Sequence, residues 1–246
     1  MTTFETSVHS TPGPTGDVIP PTEYCPVSVG TRVIGDRWTL LIIREVMVGA
    51  TRFTEIHRGL PGLSRTLLST RLRHLERLGL LDRVPTDRGG RFEYHLTVAG
   101  HAVRPVIEAI GRWSADWCFP PPTDEQSDAA LLLWRLYQSL DHEALPNGRI
   151  GIEFRFPEGE HPRGWLHAGP SGSGVCVGAT EYDDVDLIVV AAPRVLSELR
   201  MGVRSCEAAL TAGDIEFQGP PHLVQGFRTR WFRPSPFAAQ LSARQM

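Results

Sequence analysis

The stretch Ser64–Thr97, SRTLLSTRLRHLERLGLLDRVPTDRGGRFEYHLT, constrains the fold of this chain more than any other. Wound at 3.6 residues per turn, it places Leu67, Leu68, Leu72, Leu75, Leu78 and Gly79 on one side of a helix. Arg65, Thr66, Ser69, Thr70, Arg73 and Arg77 fall on the other, with Glu76 the only acid beside them. Ser64 is placed to cap the helix start and Gly79 to end it. Leu80–Val84 and Phe92–Leu96 then have β character, the second alternating Phe92, Tyr94, Leu96. The loop between them, Thr86–Arg91, carries Arg88 and Arg91. A leucine-faced helix with a hydroxyl and guanidinium face, followed by a basic hairpin, is the pattern of a winged helix that reads a DNA groove. The same local pattern also fits any amphipathic helix packed beside a hairpin.

Charge is divided along the chain. Residues 1–24 hold three acids and no base, residues 25–118 hold 14 Arg against nine acids, and residues 119–246 hold 11 Arg against 16 acids. A basic middle between acidic ends suits a DNA-binding module joined to a companion that does not touch DNA. All 25 basic residues are Arg, so the choice of Arg over Lys at one position carries no information. No run of 18 apolar residues occurs, and the first residues have neither a basic nor an apolar segment of the kind that directs export. Cys25, Cys118, Cys176 and Cys206 are scattered without metal-ligand spacing, which fits a reducing cytoplasm.

In chain order, residues 1–22 are rich in Thr, Pro, Ser and Gly and are expected to be disordered. Cys25–Ile34 predicts a short helix. Asp36 caps a second, with Trp38, Leu41, Ile42 and Val46 as its core stripe and Gly49 at its end. Phe53–Arg58 predicts a third, and Gly59–Gly62 turns the chain into the Ser64 helix. After the hairpin, Thr97 opens a long helix on which Val103, Val106, Ile107, Ile110, Trp113 and Trp117 form an apolar stripe, with Pro105 kinking it or delaying its regular start.

Residues 24–117 resemble the HxlR-type family of bacterial winged-helix transcription regulators. The resemblance is carried by Cys25-Pro26-Val27, Gly35-Asp36-Arg37-Trp38-Thr39-Leu40-Leu41-Ile42, Arg52-Phe53-Thr54-Glu55-Ile56 and Leu60-Pro61-Gly62-Leu63-Ser64. Leu72-Arg73-His74-Leu75-Glu76, Gly79-Leu80-Leu81, Tyr94-His95-Leu96-Thr97 and the Pro105 helix ending in Trp113 complete it. It implies double-stranded DNA as partner and a homodimer in which the first and last helices of the module meet a second subunit. The stripe Val103–Trp117 fits that role, or alternatively packs on the C-terminal half. Some members of the family carry a redox-sensing cysteine at the position of Cys25; the plainer reading is a small buried helix-start residue.

The expected domains are a tail at 1–22, a winged helix-turn-helix at 23–118, a Pro-rich linker at 119–123, an α+β domain at 124–235 and a tail at 236–246. The C-terminal domain is read as a helix from Asp124 to Leu145, then Arg149–Phe156, Gly164–Ala168, Gly174–Thr180 and Asp186–Ala191 as strands of a mainly antiparallel sheet. Helices at Pro193–Met201, Cys206–Ala212 and Pro221–Arg230 and a strand at Asp214–Phe217 follow. This half resembles the sterol carrier protein type-two fold on Asp186-Leu187-Ile188-Val189-Val190 and Ala212-Gly213-Asp214-Ile215-Glu216-Phe217-Gln218-Gly219. That resemblance implies a cavity for an apolar small-molecule ligand.

No nucleophile elbow, phosphate loop or HExxH occurs. Glu181–Asp186 lacks the glycine and bidentate Glu of a calcium loop, and the 169–174 loop is followed by no basic residue or helix start. The chain is therefore expected to be no enzyme, to use no cofactor or metal and to bind no membrane. The expected DNA contacts are Ser64, Arg65, Thr66, Ser69, Thr70 and Arg73 on the helix, and Arg88 and Arg91 on the wing. Arg71, between Leu67 and Leu75 on the wheel, is expected to be structural. The competing function is an apolar small-molecule carrier with a vestigial winged helix.

Overall fold

A computed structural model describes residues 24–86, 91–120, 123, 128–157, 161–169, 174–178 and 185–243. The tail at 1–22, Arg88, and the acidic run at 181–184 lie outside the described residues. So do residues 121–122 of the linker and 170–173 of the loop before the third strand of the C-terminal sheet. The chain divides into two compact units, 1–107 and 108–246.

The first unit opens with α1 (Pro26–Ile34), α2 (Arg37–Met47), α3 (Phe53–Arg58) and α4 (Arg65–Arg77). Strands β1 (Leu81–Pro85) and β2 (Phe92–Leu96) pair antiparallel with Leu81 opposite Leu96. The short α5 (Val98–His101) precedes α6 (Arg104–Trp117), which from Glu108 onward belongs to the second unit. Pro105 therefore acts as an N-terminal residue of α6, where the missing amide hydrogen costs nothing, and the expected single helix is two. Leu68, Leu72 and Leu75 of α4 are fully buried beside Ile42, Ile43 and Ile56 of α2 and α3. On α2 the buried residues are Thr39, Ile42, Ile43, Glu45 and Val46. The expected stripe was rotated: Trp38 and Leu41 are only half-buried, and the Arg37 guanidinium lies 4.7 Å from the Trp38 ring centre.

In the second unit, α7 (Ala129–Ser139) is capped by Asp128, whose Oδ1 accepts from the Leu131 amide at 2.7 Å. It is shorter than the sequence suggested, because Leu140 is already extended and forms a β-bridge with Phe232. Strands β3 (Ile150–Arg155), β4 (Arg163–Ala168), β5 (Gly174–Val177), β6 (Leu187–Ala191) and β7 (Ile215–Gln218) make one sheet in the order β5-β4-β3-β6-β7. Among the described residues only the β3–β6 pair runs parallel. Helices α8 (Pro193–Met201), α9 (Cys206–Thr211) and α10 (Pro221–Thr229) interleave with β6 and β7, and α11 (Ala238–Ala243) follows. Residues 236–246, expected as a tail, thus include a helix whose Leu241 is buried.

The core lies on one face of this sheet. Ile152, Phe154, Leu166, Leu187 and Val189 join Leu133 and Leu136 of α7, Val195 and Leu196 of α8, and Leu223 and Phe227 of α10. The Phe227 ring stands 6.3 Å from Phe154, 5.2 Å from Phe217 and 5.0 Å from Phe232, an aromatic knot that closes the core. On β6, Leu187 and Val189 are buried while Ile188 and Val190 are half-buried, an alternation with the period of two of the pleat.

Candidate nucleic-acid interface

Helix α4 is set by its ends and by its buried side. The Ser64 hydroxyl accepts from the Leu67 amide at 3.2 Å, satisfying an otherwise orphaned donor of the first turn. Gly79 leaves the helix at φ +66°, a conformation that costs other residues a Cβ clash. Between these ends the leucines point into the core, so the opposite side is presented outward. Ser64, Arg65, Thr66, Thr70 and Arg73 are exposed, and Ser69 is half-buried. Two of these groups turn back on the helix: Thr70 Oγ1 donates to the Thr66 carbonyl at 3.1 Å, and Arg73 Nε to the Ser69 carbonyl at 3.3 Å.

Arg71 points the other way. Its Nη2 donates to Asp36 Oδ2 at 3.1 Å, while Asp36 Oδ1 accepts from the Trp38 and Thr39 amides at 3.0 and 3.2 Å. One carboxylate therefore caps α2 and holds α4, and the pair fixes the roll of α4 about its own axis. The turn before α4 is held from beneath by Glu45, which is fully buried and takes both the Nε and Nη2 hydrogens of Arg44, at 3.1 and 2.6 Å. A Cβ on Gly59 would overlap the Glu45 carboxylate, so a larger residue where α3 ends would displace that buried group.

The wing is joined to this frame at several points. The Tyr94 amide donates to the Thr51 carbonyl at 2.8 Å, Arg52 Nε lies 3.6 Å from Glu93 Oε1, and Thr97 Oγ1 donates to the Gly79 carbonyl at 2.6 Å. At the outer end the Thr86 amide and hydroxyl both donate to the Arg91 carbonyl, at 2.9 and 3.2 Å, and Arg91 is exposed. Arg88 is outside the described residues. Arg83, exposed on β1, stacks its guanidinium 3.5 Å from the Phe92 ring centre. Burial pushes the Tyr94 phenol above its ordinary value, an effect opposed by Arg83 and Arg73 and reinforced by Glu76. The exposed arginines Arg65, Arg73, Arg77, Arg83 and Arg91 thus belong to α4 and the hairpin. Sequence reasoning missed Arg83 as a candidate contact; its signal was the pairing of an arginine strand position with Phe92 two rungs away. Arg77 was on the polar side of the wheel but was not carried to the site.

Cys25 precedes α1 with no side-chain bond to its amides and is exposed, so it is not the buried helix-start residue of the plainer reading. Cys118 is exposed as well, its thiol 3.5 Å from Ser114 Oγ. The stripe expected on α6 divides in two: Val103 is buried and Ile107 half-buried, whereas Val106, Ile110, Trp113 and Trp117 are 41, 47, 60 and 73% exposed. Among the described residues no three His, Cys, Asp or Glu converge as metal ligands, and no helix is long and apolar enough to cross a membrane.

Residues 33–121 match the family model of the HxlR-like helix-turn-helix. The HTH-type transcriptional regulator YvaP of Bacillus subtilis (strain 168) is 37% identical over 100 residues, which are 40% of this chain and 93% of that protein. The regulator MT3179 of Mycobacterium tuberculosis (strain CDC 1551 / Oshkosh) is 44% identical over 86 residues, 35% of this chain and 54% of its own length, so only about half of that relative is spanned. Among solved structures, that of PA1607 is 40% identical, covers 42% of this chain and 71% of its own, and gives a TM-score of 0.39. With nearly the whole of YvaP aligned on the segment that carries α4 and the wing, this chain belongs to the HxlR-like helix-turn-helix family.

Proposed function

We propose that the protein is a sequence-specific, homodimeric DNA-binding repressor rather than an enzyme, with residues 23–118 as its DNA-binding and dimerisation domain and 124–235 as its sensor domain. One observation carries the reading: Arg65, Thr66, Thr70 and Arg73 stand exposed on the side of a 13-residue helix opposite three fully buried leucines. Such a helix enters a major groove with its first turns against base edges, and Ser64 and Ser69 lie within reach of the same edges and phosphates. Arg83, Arg88 and Arg91 then meet backbone phosphate. Val106, Ile110, Trp113 and Trp117 recur at i, i+4, i+7 and i+11, and a second copy covers them.

The test is a footprint of the purified protein on its own chromosome, followed by binding titrations at several salt concentrations. A palindromic site with half-sites about one helical turn apart is expected. Replacing Arg83 and Arg91 together by Ala should weaken binding to every sequence and flatten the salt dependence by roughly two counterions. Binding that keeps its salt slope in that variant removes the wing from the interface.

Two inputs suit such a repressor. The exposed Cys25 thiol is open to oxidants, and Cys25→Ser should keep operator affinity while losing the response to peroxide. The C-terminal unit, read as sterol-carrier-like, takes an apolar small molecule into its one-sided core; long-chain fatty acids or sterols that leave its melting temperature unmoved would exclude that input.

A further inference from the structure

We propose that Phe237 braces helix α6 from behind, and that through this joint the C-terminal unit sets the strength of the dimer. The inference rests on the homodimer reading above. Two faces of α6 are distinguished by exposure. Ile107, Glu108, Gly111, Ser114 and Ala115, spaced i, i+1, i+4, i+7 and i+8, are buried or half-buried, and the apolar outer stripe ending in Trp117 is exposed. Gly111 lies on the covered face. A Cβ built there would overlap Cζ, Cε1 and Cε2 of the Phe237 ring, so the ring occupies the gap that the missing side chain leaves.

The ring is presented from a segment fixed at both ends. Upstream, the Arg233 amide donates to the Ser139 carbonyl at 2.8 Å, Phe232 bridges Leu140, and Trp231 is buried against Gly226. Pro234 and Pro236 restrict the backbone between, and Ser235 Oγ accepts from the Phe237 amide at 3.3 Å. Downstream, α11 is tied to the end of α8: Ser242 Oγ donates to the Gly202 carbonyl, and Ala238 sits where a Cβ on Gly202, at φ +72°, would be. A strap anchored on α7 and α8 that lays one aromatic ring on a glycine of α6 restrains the helix before it meets a partner. Ordering that is already complete in the free subunit is not lost again on association. The rigid backing thus strengthens a dimer formed by the opposite face.

Sedimentation equilibrium on the full chain tests the joint with Gly111→Ala, Phe237→Ala and the double variant. Each single change should weaken dimerisation about tenfold, with helix content by circular dichroism unchanged. Ala is a better helix former than Gly, so a loss on Gly111→Ala cannot come from α6 alone. In the Phe237→Ala background Gly111→Ala should add nothing, because the ring it displaces is gone; a cycle of this form isolates the joint from separate structural damage. If Phe237→Ala does not fold, Phe237→Leu carries the same cycle. Dimerisation indifferent to both single changes, or a Gly111→Ala loss that persists without the ring, overturns the joint. A wild-type chain that stays monomeric at all concentrations overturns the dimer reading itself.

Discussion

Helices α4 and α7 bury leucines to comparable depth, yet they do opposite work. On α4 the buried residues Leu68, Leu72 and Leu75 follow a spacing of four and three, and the remaining side is wet. On α7, Leu132, Leu133, Trp134 and Leu136 are all buried, so that helix has little outer face. A helix with one dry side leaves a full polar side available to a partner; a helix dry on several sides is committed to holding its own unit together. In the first unit, therefore, substitutions on the polar side should change binding and not stability. In the second, substitutions at buried positions should change stability first.

The largest effect tests the second half of that contrast. Phe154 is fully buried, between Phe156 and Phe227, and Phe154→Ala should cost about 3–5 kcal/mol through lost burial and the cavity left behind. Calorimetry should show a C-terminal transition lowered while that of the winged-helix unit stays in place. A shift of both transitions together would mean that the two units unfold as one, and the contrast would fail.

Next in size is Arg73→Ala. Its guanidinium is exposed and donates to the Ser69 carbonyl of its own helix, so the folded state loses little. A base contact is worth about 1–3 kcal/mol, and its loss should appear as a smaller ratio of operator to random-sequence affinity. Unchanged melting with that reduced ratio sharpens the comparison; reduced melting with an unchanged ratio breaks it.

How much of this was legible follows from the same contrast. The leucine spacing of α4 was enough to place its dry side, because a single helical period is fixed by the residues that carry it. The same spacing put Arg71 inward, and the Asp36 pair is what it meets there. What sequence could not supply was anything that depends on which strands pair and which faces are covered. The stacking of Arg83 on Phe92 needs the register of β1 and β2. The alternation of burial along β6, with Ile188 and Val190 less deeply buried than Leu187 and Val189, is concealed by an uninterrupted apolar run. The helix at Ala238–Ala243 has a single buried apolar residue, Leu241, too few to show a period. The α6 stripe looked uniform because periodicity does not say which apolar residues a neighbouring element will reach.

Asp36 separates the two kinds of effect within one residue. Asp36→Ala removes a helix cap worth about 1 kcal/mol. It also removes an ion pair to Arg71 that is about one-third exposed on each side and contributes at most roughly another 1 kcal/mol after solvent screening. Asp36→Asn keeps an acceptor for the Trp38 and Thr39 amides but gives up the charge that holds Arg71. It should melt close to the wild type and still lose operator preference, since α4 is freer to roll. An Asn variant that melts low yet discriminates normally would make the pair purely structural.

The smallest effect concerns Tyr94, on the strand that docks against Thr51. Burial favours its neutral phenol, so the folded pKa lies above the ordinary value of 10.0 and the folded state holds its proton more tightly than the unfolded chain does. The stability this contributes is fully present below pH 10 and is lost as pH rises through the folded pKa. Denaturant melts of the wild type should decline across that alkaline range more than those of Tyr94→Phe, which keeps the ring and has no proton to lose. Ultraviolet titration gives an independent reading: the phenolate signal that Tyr94→Phe removes should lie above the ordinary tyrosine value. If that signal lies at the ordinary value, Tyr94 is wetter than its position on β2 indicates, and the wing is less firmly seated on Thr51 than the 2.8 Å bond implies.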